Sequence, residues 1–505
     1  MKALSLLCYR DIRQEVSSIS PSVIIIGGGV AGLAAGCYAQ MNGFRTEILE
    51  MHTAPGGLCT AWKRKGYTFD GCLHWLVGSS PRSSMHRLWE EVGVIQGRTF
   101  ITYEYYSQVL DDRGNRLILY TDPGRLREQM VSIAPKDERL INRIIHDIKK
   151  LSRRDMPVEL GVSGFFGMLP IIIMFMKYRM PAQEIALKFK SPVMRELFAS
   201  AFGWNDMSFA FMLWTMALMA AGDGGYAIGG SGPLSEAMAA RYASLGGTIY
   251  FRSRVDRILV KNGHAVGVRL ADGTERRADY IISAADGHAT IFDMLEERYI
   301  NKKIRDCYSD LDPFPPLVYV SLGIAADYSG EPHSLSFPLA RPFAIGPTEV
   351  KRISIRIYNF DPTMAPAGKT TVNVMLETDY DYWKQLCDDR ERYRAEKERI
   401  GKAVIDGIAE LYPALPSQVE VIDVATPLTF ERYTGNWRGS YEGWLLNKKA
   451  LSVRIPQQLP GLSNFFMVGQ WVSPGGGLPA GVITARNAIR KLCGLEKRNF
   501  VTKRY

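Results

Sequence analysis

The apolar positions near the start of the chain fall in blocks. Val23-Ile24-Ile25-Ile26 is an unbroken apolar run, which predicts a strand covered on both faces of a parallel sheet. Glycines 27 to 29 follow, and Ala31 to Met41 then carries a helical pattern that Asn42-Gly43 stops. Arg45 to Glu50 reads as a second strand, which completes one βαβ unit.

Farther along, the pattern changes. Residues 86 to 224 read as helical and contain two long apolar stretches, Val162–Met176 and Met207–Ala221. Strand patterns return at Thr248–Phe251, Ala265–Leu270 and Tyr280–Ser283, punctuated by the turn pairs Asn262-Gly263 and Asp272-Gly273. A mixed region spans Leu317 to about Val421, with a charged helix over Asp388–Leu411. The C-terminal part offers a strand at Asn464–Val468, a glycine loop and a last helix through Arg490. The expected fold class is α/β. A Rossmann-like dinucleotide domain is assembled from the discontinuous segments 20–85, 225–300 and 422–495, with an α+β substrate domain inserted from 86–224 and 301–421. Residues 1–19, with a short apolar piece at Ala3–Tyr9 soon followed by charges, read as an N-terminal extension rather than a secretory signal.

Composition narrows the classes. The chain has 505 residues, 46% of them hydrophobic and 23% charged, the balance of a folded globular protein. A net charge of +10 would suit an anionic membrane surface, an anionic substrate or nucleic acid. No zinc-finger spacing or RNA-binding signature accompanies it, so no nucleic-acid partner is expected. The same holds for a metal, since HExxH and paired Cys/His spacings are missing. The seven cysteines are scattered without CxxC, which fits a reduced, cytoplasmic setting better than a disulfide framework.

The chemistry is concentrated in glycine loops. Gly27-Gly28-Gly29-Val30-Ala31-Gly32 is GxGxxG between a strand and a helix. Gly27 allows the tight turn, Gly29 lets backbone approach a pyrophosphate, and Gly32 lets helix and strand pack closely; Val30 and Ala31 open the helix whose free N–H groups face the phosphates. Glu50 ends the second strand eighteen residues after Gly32, where a carboxylate accepts hydrogen bonds from a ribose, with Met51 beside it. Pro55-Gly56-Gly57-Leu58 and Gly66-Tyr67-Thr68-Phe69-Asp70 come next. Near the other end stand Phe466-Met467-Val468-Gly469-Gln470 and Ser473-Pro474-Gly475-Gly476-Gly477-Leu478-Pro479, the latter opening a helix. A second glycine loop at a helix start supplies a second set of backbone donors, the extra reach that FAD needs beyond what NAD requires.

These motifs resemble the flavin oxidoreductases that include bacterial phytoene desaturases, carotenoid isomerases and retinol saturases. The resemblance runs from about residue 22 to 492. It also rests on Gly229-Gly230-Ser231-Gly232-Pro233-Leu234, Ile282-Ser283-Ala284-Ala285-Asp286, Thr426-Pro427 and Arg432-Tyr433-Thr434-Gly435-Asn436. It implies FAD as cofactor and a hydrophobic polyene, isoprenoid or lipid as substrate. It also implies that Val255 meets the adenine through its backbone, in a strand over Ser253–Ile258. Two positions depart from the relatives: Leu58 stands where many carry Arg, and Gln470 where many carry Asp. Gln470 still offers an amide, without charge.

Few side chains suggest catalysis. His74 and Glu442 are the candidates for moving a proton. The resemblance implies desaturation or saturation of a carbon–carbon bond, redox chemistry being the commoner activity of these flavoproteins, and such chemistry places most of the burden on the flavin. Double-bond isomerisation, an amine oxidase-like activity and a non-catalytic prenyl-lipid carrier of the Rab-escort type are the rivals. No second GxGxxG is present to hold NAD(P)H, and the electron partner is left open.

Val162–Met176, interrupted by Pro170, is fifteen residues long, short of the roughly 20 apolar residues that cross a bilayer. Its flanks are basic: Lys149, Lys150, Arg153, Arg154, Lys177 and Arg179. The expectation is peripheral contact with an anionic membrane through 162–176, set against a buried helix of the substrate domain. Nine of the twenty methionines fall between Met168 and Met219, as the wall of an adaptable apolar tunnel would use them.

Overall fold

The computed structural model describes residues 20–155, 158, 162–204 and 206–503, with the side chains of 162–168 left aside. The N-terminal extension expected at 1–19 lies outside the described residues.

The apolar run near the N-terminus is the centre of a five-stranded parallel sheet. Its order is Thr248–Tyr250, Arg45–Leu49, Ser22–Ile26, Tyr280–Ser283 and Phe465–Met467. Val23 to Ile26 are all buried, because elements cover both faces of the sheet. On one face lies the helix Val30–Met41, held between Ser231–Ser244 and Gly477–Leu495. Close approach here depends on glycine: a Cβ on Gly32 would overlap the Gly27 carbonyl, and one on Gly481 would press on the Ala31 amide. Five strands from three distant parts of the sequence thus converge on one edge, where ligands bind in doubly wound sheets. The other face carries a three-stranded antiparallel sheet, Val255–Lys261, His264–Leu270 and Glu275–Arg277, whose first hairpin turns at Asn262-Gly263.

A seven-stranded mixed sheet forms the second layer. Its order is Val419–Ala425, Leu317–Ile324, Thr370–Glu377, Thr348–Ile357, Ser334–Ile345, Tyr105–Leu110 and Arg116–Tyr120. Side chains alternate across it. Val318, Val320, Val372, Val374, Ile353 and Ile355 pack with the helix Arg390–Ala409 into a separate apolar core. The opposite face carries Tyr319, Asn373, Ser354 and Arg356, and it turns toward the dinucleotide sheet. The expected segment boundary at residue 422 falls inside the strand Val419–Ala425.

The region expected to be helical contains a β-hairpin. Tyr105–Leu110 and Arg116–Tyr120 pair antiparallel, and Gln108 and Val109 join the sheet opposite Leu335 and Ser336. The turn is set by Asp111, whose Oδ1 accepts from the N–H groups of Arg113 (3.0 Å) and Asn115 (2.7 Å). The helices lie beyond it. Phe209–Ala220 is buried almost all round, as a helix apolar on every side must be. Val162–Lys177 behaves differently: Ile171 and Met174 are buried, whereas Leu169 (44%), Ile172 (41%), Ile173 (59%) and Met176 (55%) are exposed. Among the described residues no helix is long and apolar enough to cross a membrane.

Candidate functional site

Between the parallel sheet, the mixed sheet and the helices runs one cavity of about 1660 Å³. Around one end the structure gathers Gly27, Gly29, Val30, Ala31, Glu50, Met51, Gly57, Leu58 and Val255 with Gly469, Gln470, Gly477, Leu478 and Pro479. Of the cofactor positions expected from sequence, Gly32 alone stands behind the wall, where its missing Cβ serves packing. Val255 opens a strand that begins two residues later than expected from sequence, at Val255 itself.

Local bonding explains how this end keeps its shape. Glu50 is buried, and its Oε2 accepts from Gly28 N–H (2.6 Å) while Oε1 accepts from His52 N–H (2.7 Å). Gly27 donates to Leu49 O (2.9 Å) and Gly56 to Gly28 O (2.9 Å), so the Pro55–Leu58 turn closes over the first glycine loop. Two helix N-termini point into the cavity, Val30–Met41 after Gly29 and Gly477–Leu495 after Gly476, and neither has a side-chain cap. Uncapped N–H groups and the positive ends of two helices form a cradle for anions. Gly475, Gly476 and Gly477 all have positive φ (90°, 55° and 77°), a path that residues with a Cβ rarely follow. An extended dinucleotide fits this end: one helix for the pyrophosphate, Glu50 for a ribose and a second helix for the ring system. In that reading Leu58 and Gln470 meet the cofactor without a charge.

The remaining sequence motifs are joined in pairs by buried aspartates, which sequence reasoning did not single out. Asp70 accepts from Cys72 N–H and Leu73 N–H (both 2.8 Å), Ser231 N–H (2.6 Å) and Ser231 Oγ (2.6 Å), tying the Gly66–Asp70 motif to Gly229–Leu234. Burial pushes its carboxyl up, against those hydrogen bonds. Asp286 accepts from Ala289 N–H (2.8 Å) and Trp437 N–H (2.9 Å), linking Ile282–Asp286 to the Asn436 turn; burial raises it to about 7. Each aspartate closes a motif already visible in the sequence, Gly66–Asp70 or Ile282–Asp286, but the second motif it fastens is set by tertiary structure.

The two proton-transfer candidates differ sharply. His74 lines the cavity, but burial first and the Arg356 charge second push it down to about 3, so it stays neutral. Glu442 lines the cavity beside the second glycine loop; a Cβ on Gly477 would sit 3.8 Å from its Oε1. Burial pushes Glu442 up to about 8, so at neutral pH it carries a proton it can give.

At its other end the cavity is apolar and aromatic, walled by Phe175, Trp204, Phe211, Trp214 and Leu218. Of the eight methionines from Met174 to Met219, all with described side chains, only Met207 and Met212 reach it, and Met174, Met194, Met216 and Met219 are buried elsewhere. The tunnel wall is therefore mainly aromatic. Tyr319, Asn373 and Arg356 line the sheet side; Tyr319 donates to Asp70 O (2.6 Å), and Asn373 Nδ2 donates to Tyr319 Oη (2.9 Å).

A discontinuous parallel sheet, two glycine loops at helix starts and a long apolar annex define an FAD-type oxidoreductase fold. Accordingly the profile of flavin-containing amine oxidoreductases matches residues 30–492, and the chain belongs to that family. It is 24% identical to the chloroplastic prolycopene isomerase of Daucus carota, over 94% of this chain and 81% of that protein. It is 25% identical to a neurosporene-forming phytoene desaturase of Cereibacter sphaeroides, over 94% of this chain and 96% of that one. A redesigned putrescine oxidase shares the fold with a TM-score of 0.62 at 12% identity, covering 94% of this chain and 99% of the oxidase. The chain is a flavoprotein enzyme with FAD as its cofactor.

Proposed function

We propose that this FAD-dependent oxidoreductase removes or adds hydrogen at a carbon–carbon bond of a hydrophobic polyene, isoprenoid or other lipid. The observation that carries the reading is the single cavity that runs from the glycine loops into an aromatic and apolar annex. Relatives named as a phytoene desaturase and a prolycopene isomerase, each matched along 94% of this chain, support it.

When bound, FAD supplies hydride exchange with a carbon centre. The chain supplies the rest. Gly27, Gly29, Val30, Ala31 and Glu50 hold the nucleotide end; Met51, Gly57, Leu58 and Val255 flank it. Gly469, Gln470, Gly477, Leu478 and Pro479 hold the ring end, with the second helix N-terminus stabilising negative charge there. Phe175, Trp204, Phe211 and Trp214 exclude water and align the chain of the substrate. Glu442, protonated below about pH 8, is in the form that gives the accompanying proton in the saturating direction, and its ionised form takes that proton in desaturation. His74, held neutral, shapes the wall. Isomerisation is the second reading, favoured by the relation to prolycopene isomerase.

A lipid substrate must reach the cavity from a membrane. The stripe Leu169, Ile172, Ile173 and Met176 lies on one exposed helix face with the spacing i, i+3, i+4, i+7. Exposed Lys149, Lys150, Arg153, Arg154, Lys177 and Arg179 belong to the same region, and Phe175 of that helix lines the cavity. This combination suits peripheral docking on an anionic leaflet. The direct test of substrate class is mass spectrometry of lipid extracted from the purified flavoprotein. A co-purifying polyene or unsaturated lipid is expected, and a polar amine in its place overturns the reading.

A further inference from the structure

The sheet side of the cavity is too polar for a substrate that is hydrocarbon throughout. Arg356 lies in the middle of the mixed sheet, in register with Ser334 on one neighbouring strand and Asn373 on the other. Its side chain lines the cavity, and its recorded polar contact is Nη1 to Tyr103 Oη at 3.3 Å. The guanidinium also stands 5.8 Å from the Tyr103 ring centroid. Among the described residues no carboxylate pairs with it. The nearest other titratable groups bring no negative charge. Tyr103, Tyr106 and Tyr358 are phenols raised by burial, and His74 and His333 are both pushed down to about 3 by burial and then by Arg356 itself.

Serine hydroxyls line the same wall as the guanidinium. Ser334 Oγ bonds Ser107 Oγ (3.1 Å), and Ser354 Oγ bonds Ser336 Oγ (3.0 Å), and all four serines line the cavity. Ser334 and Ser354 donate within these pairs and Ser107 donates to Gln108 O (3.3 Å), so Ser336 keeps a proton for a ligand and the others can turn theirs to one. A permanently charged guanidinium in an enclosed wall is costly unless an anion meets it, and its planar fork matches the two oxygens of a carboxylate or phosphate. A hydrocarbon filling the cavity would strip water from this group and return nothing.

We propose that Arg356, with the Ser107–Ser334 and Ser336–Ser354 hydroxyl pairs, binds an anionic oxygen head group at one end of the lipid substrate. The substrate class is then a long unsaturated chain ending in a carboxylate or phosphate. This rests on the cavity being the substrate site, and it narrows what that site takes. Arg356 acts here as a binding residue that sets which carbon–carbon bond lies at the ring end.

The test is titration of the oxidised, FAD-loaded protein, read by perturbation of the flavin absorption band and by equilibrium dialysis, so that no turnover is required. Linolenate is compared with methyl linolenate, and laurate with dodecyl phosphate. The expected result is a Kd for linolenate about ten- to hundredfold below that of its methyl ester, the range of a charge-assisted pair. Arg356→Gln should bring acid and ester together with FAD content retained, and Arg356→Lys, which keeps the charge without the fork, should fall between. The laurate and dodecyl phosphate arms tell which oxyanion is preferred. Equal Kd values for acid and ester in the unsubstituted protein overturn the proposal whatever the variants do. If such a protein still converts hydrocarbon polyenes, the reading of the cavity stands and the head-group site does not.

Discussion

The two ends of the cavity are built by different means, and under the proposed function each would recognise its ligand accordingly. The glycine end presents mainly backbone: N–H groups of two uncapped helices, carbonyls of tight turns and the Glu50 carboxylate, itself fixed by two N–H donors, with Glu442 beside the second loop. The sheet and helical end presents side chains, Phe175, Trp204 and Trp214 on one wall and Arg356 with the serines on the other. A backbone site needs glycine at particular positions, and little else can stand there. A side-chain site can be repacked by many residues of similar volume. The first end should therefore fail abruptly on substitution and the second should change by degrees.

The strongest way to break this comparison is Gly477→Val. Its φ of +77° costs a residue with a Cβ about 1–2 kcal/mol, and more for a β-branched one. The expected outcome is loss of bound FAD, read as flavin absorbance per protein, with far-UV circular dichroism retained. A variant that keeps a normal flavin spectrum would show that this loop does not hold the ring.

Glu50→Ala should follow. Charge-assisted hydrogen bonds contribute about 1.5–3 kcal/mol, so FAD affinity should fall roughly ten- to hundredfold by equilibrium dialysis. Unchanged retention would remove Glu50 from the cofactor site.

Glu442→Gln sharpens the contrast between Glu442 and His74. Burial raises the Glu442 carboxyl from 4.5 to about 8, so its proton-donating form persists below pH 8. Turnover limited by proton donation should decline above pH 8 in the parent and lose that dependence in the variant. Linkage gives the matching stability signature. The unfolded chain releases this proton above pH 4.5 and the folded one near pH 8, so the parent loses stability as pH rises between those values. The melting temperature of Glu442→Gln relative to the parent should therefore climb from pH 5 to pH 8. A flat difference would mean that Glu442 ionises normally.

The smallest effect concerns the rim. Ile173→Glu and Met176→Glu place charges on the exposed stripe and should reduce sedimentation with anionic vesicles several-fold while leaving FAD content alone. Added salt should weaken the parent's binding as well, because screening acts over about 8–10 Å at physiological ionic strength. Indifference to both would make the stripe an ordinary surface.

The same contrast explains what the sequence made legible. Val23–Ile26, the glycine turns and Glu50 have few alternatives, and the structure brings them together with Gly469–Pro479 at one cavity end. The hairpin at 105–120 was hidden within an expected helical region. Arg116–Tyr120 is only five residues long, and the strand that recruits the hairpin, Ser334–Ile345, lies more than two hundred residues away. Arg356, Asn373 and Tyr319 left no motif, since alternation in a strand says which residues share a face and nothing about what that face meets. Asp70 and Asp286 were visible as residues, but the turns they fasten are set by tertiary structure.

The central claim is that a lipid in the annex exchanges hydrogen with FAD at the glycine end. Anaerobic mixing of the flavin-loaded protein with a panel of polyenes and unsaturated lipids, followed by flavin absorbance and product mass, tests it most directly. The account predicts bleaching of the oxidised flavin band together with loss of a pair of hydrogens from one lipid. In the saturating direction it predicts the reverse with reduced flavin, and in isomerisation an altered double bond at unchanged mass that requires reduced flavin. An unchanged flavin band and unaltered lipids across the panel, with bleaching by an amine instead, would contradict it.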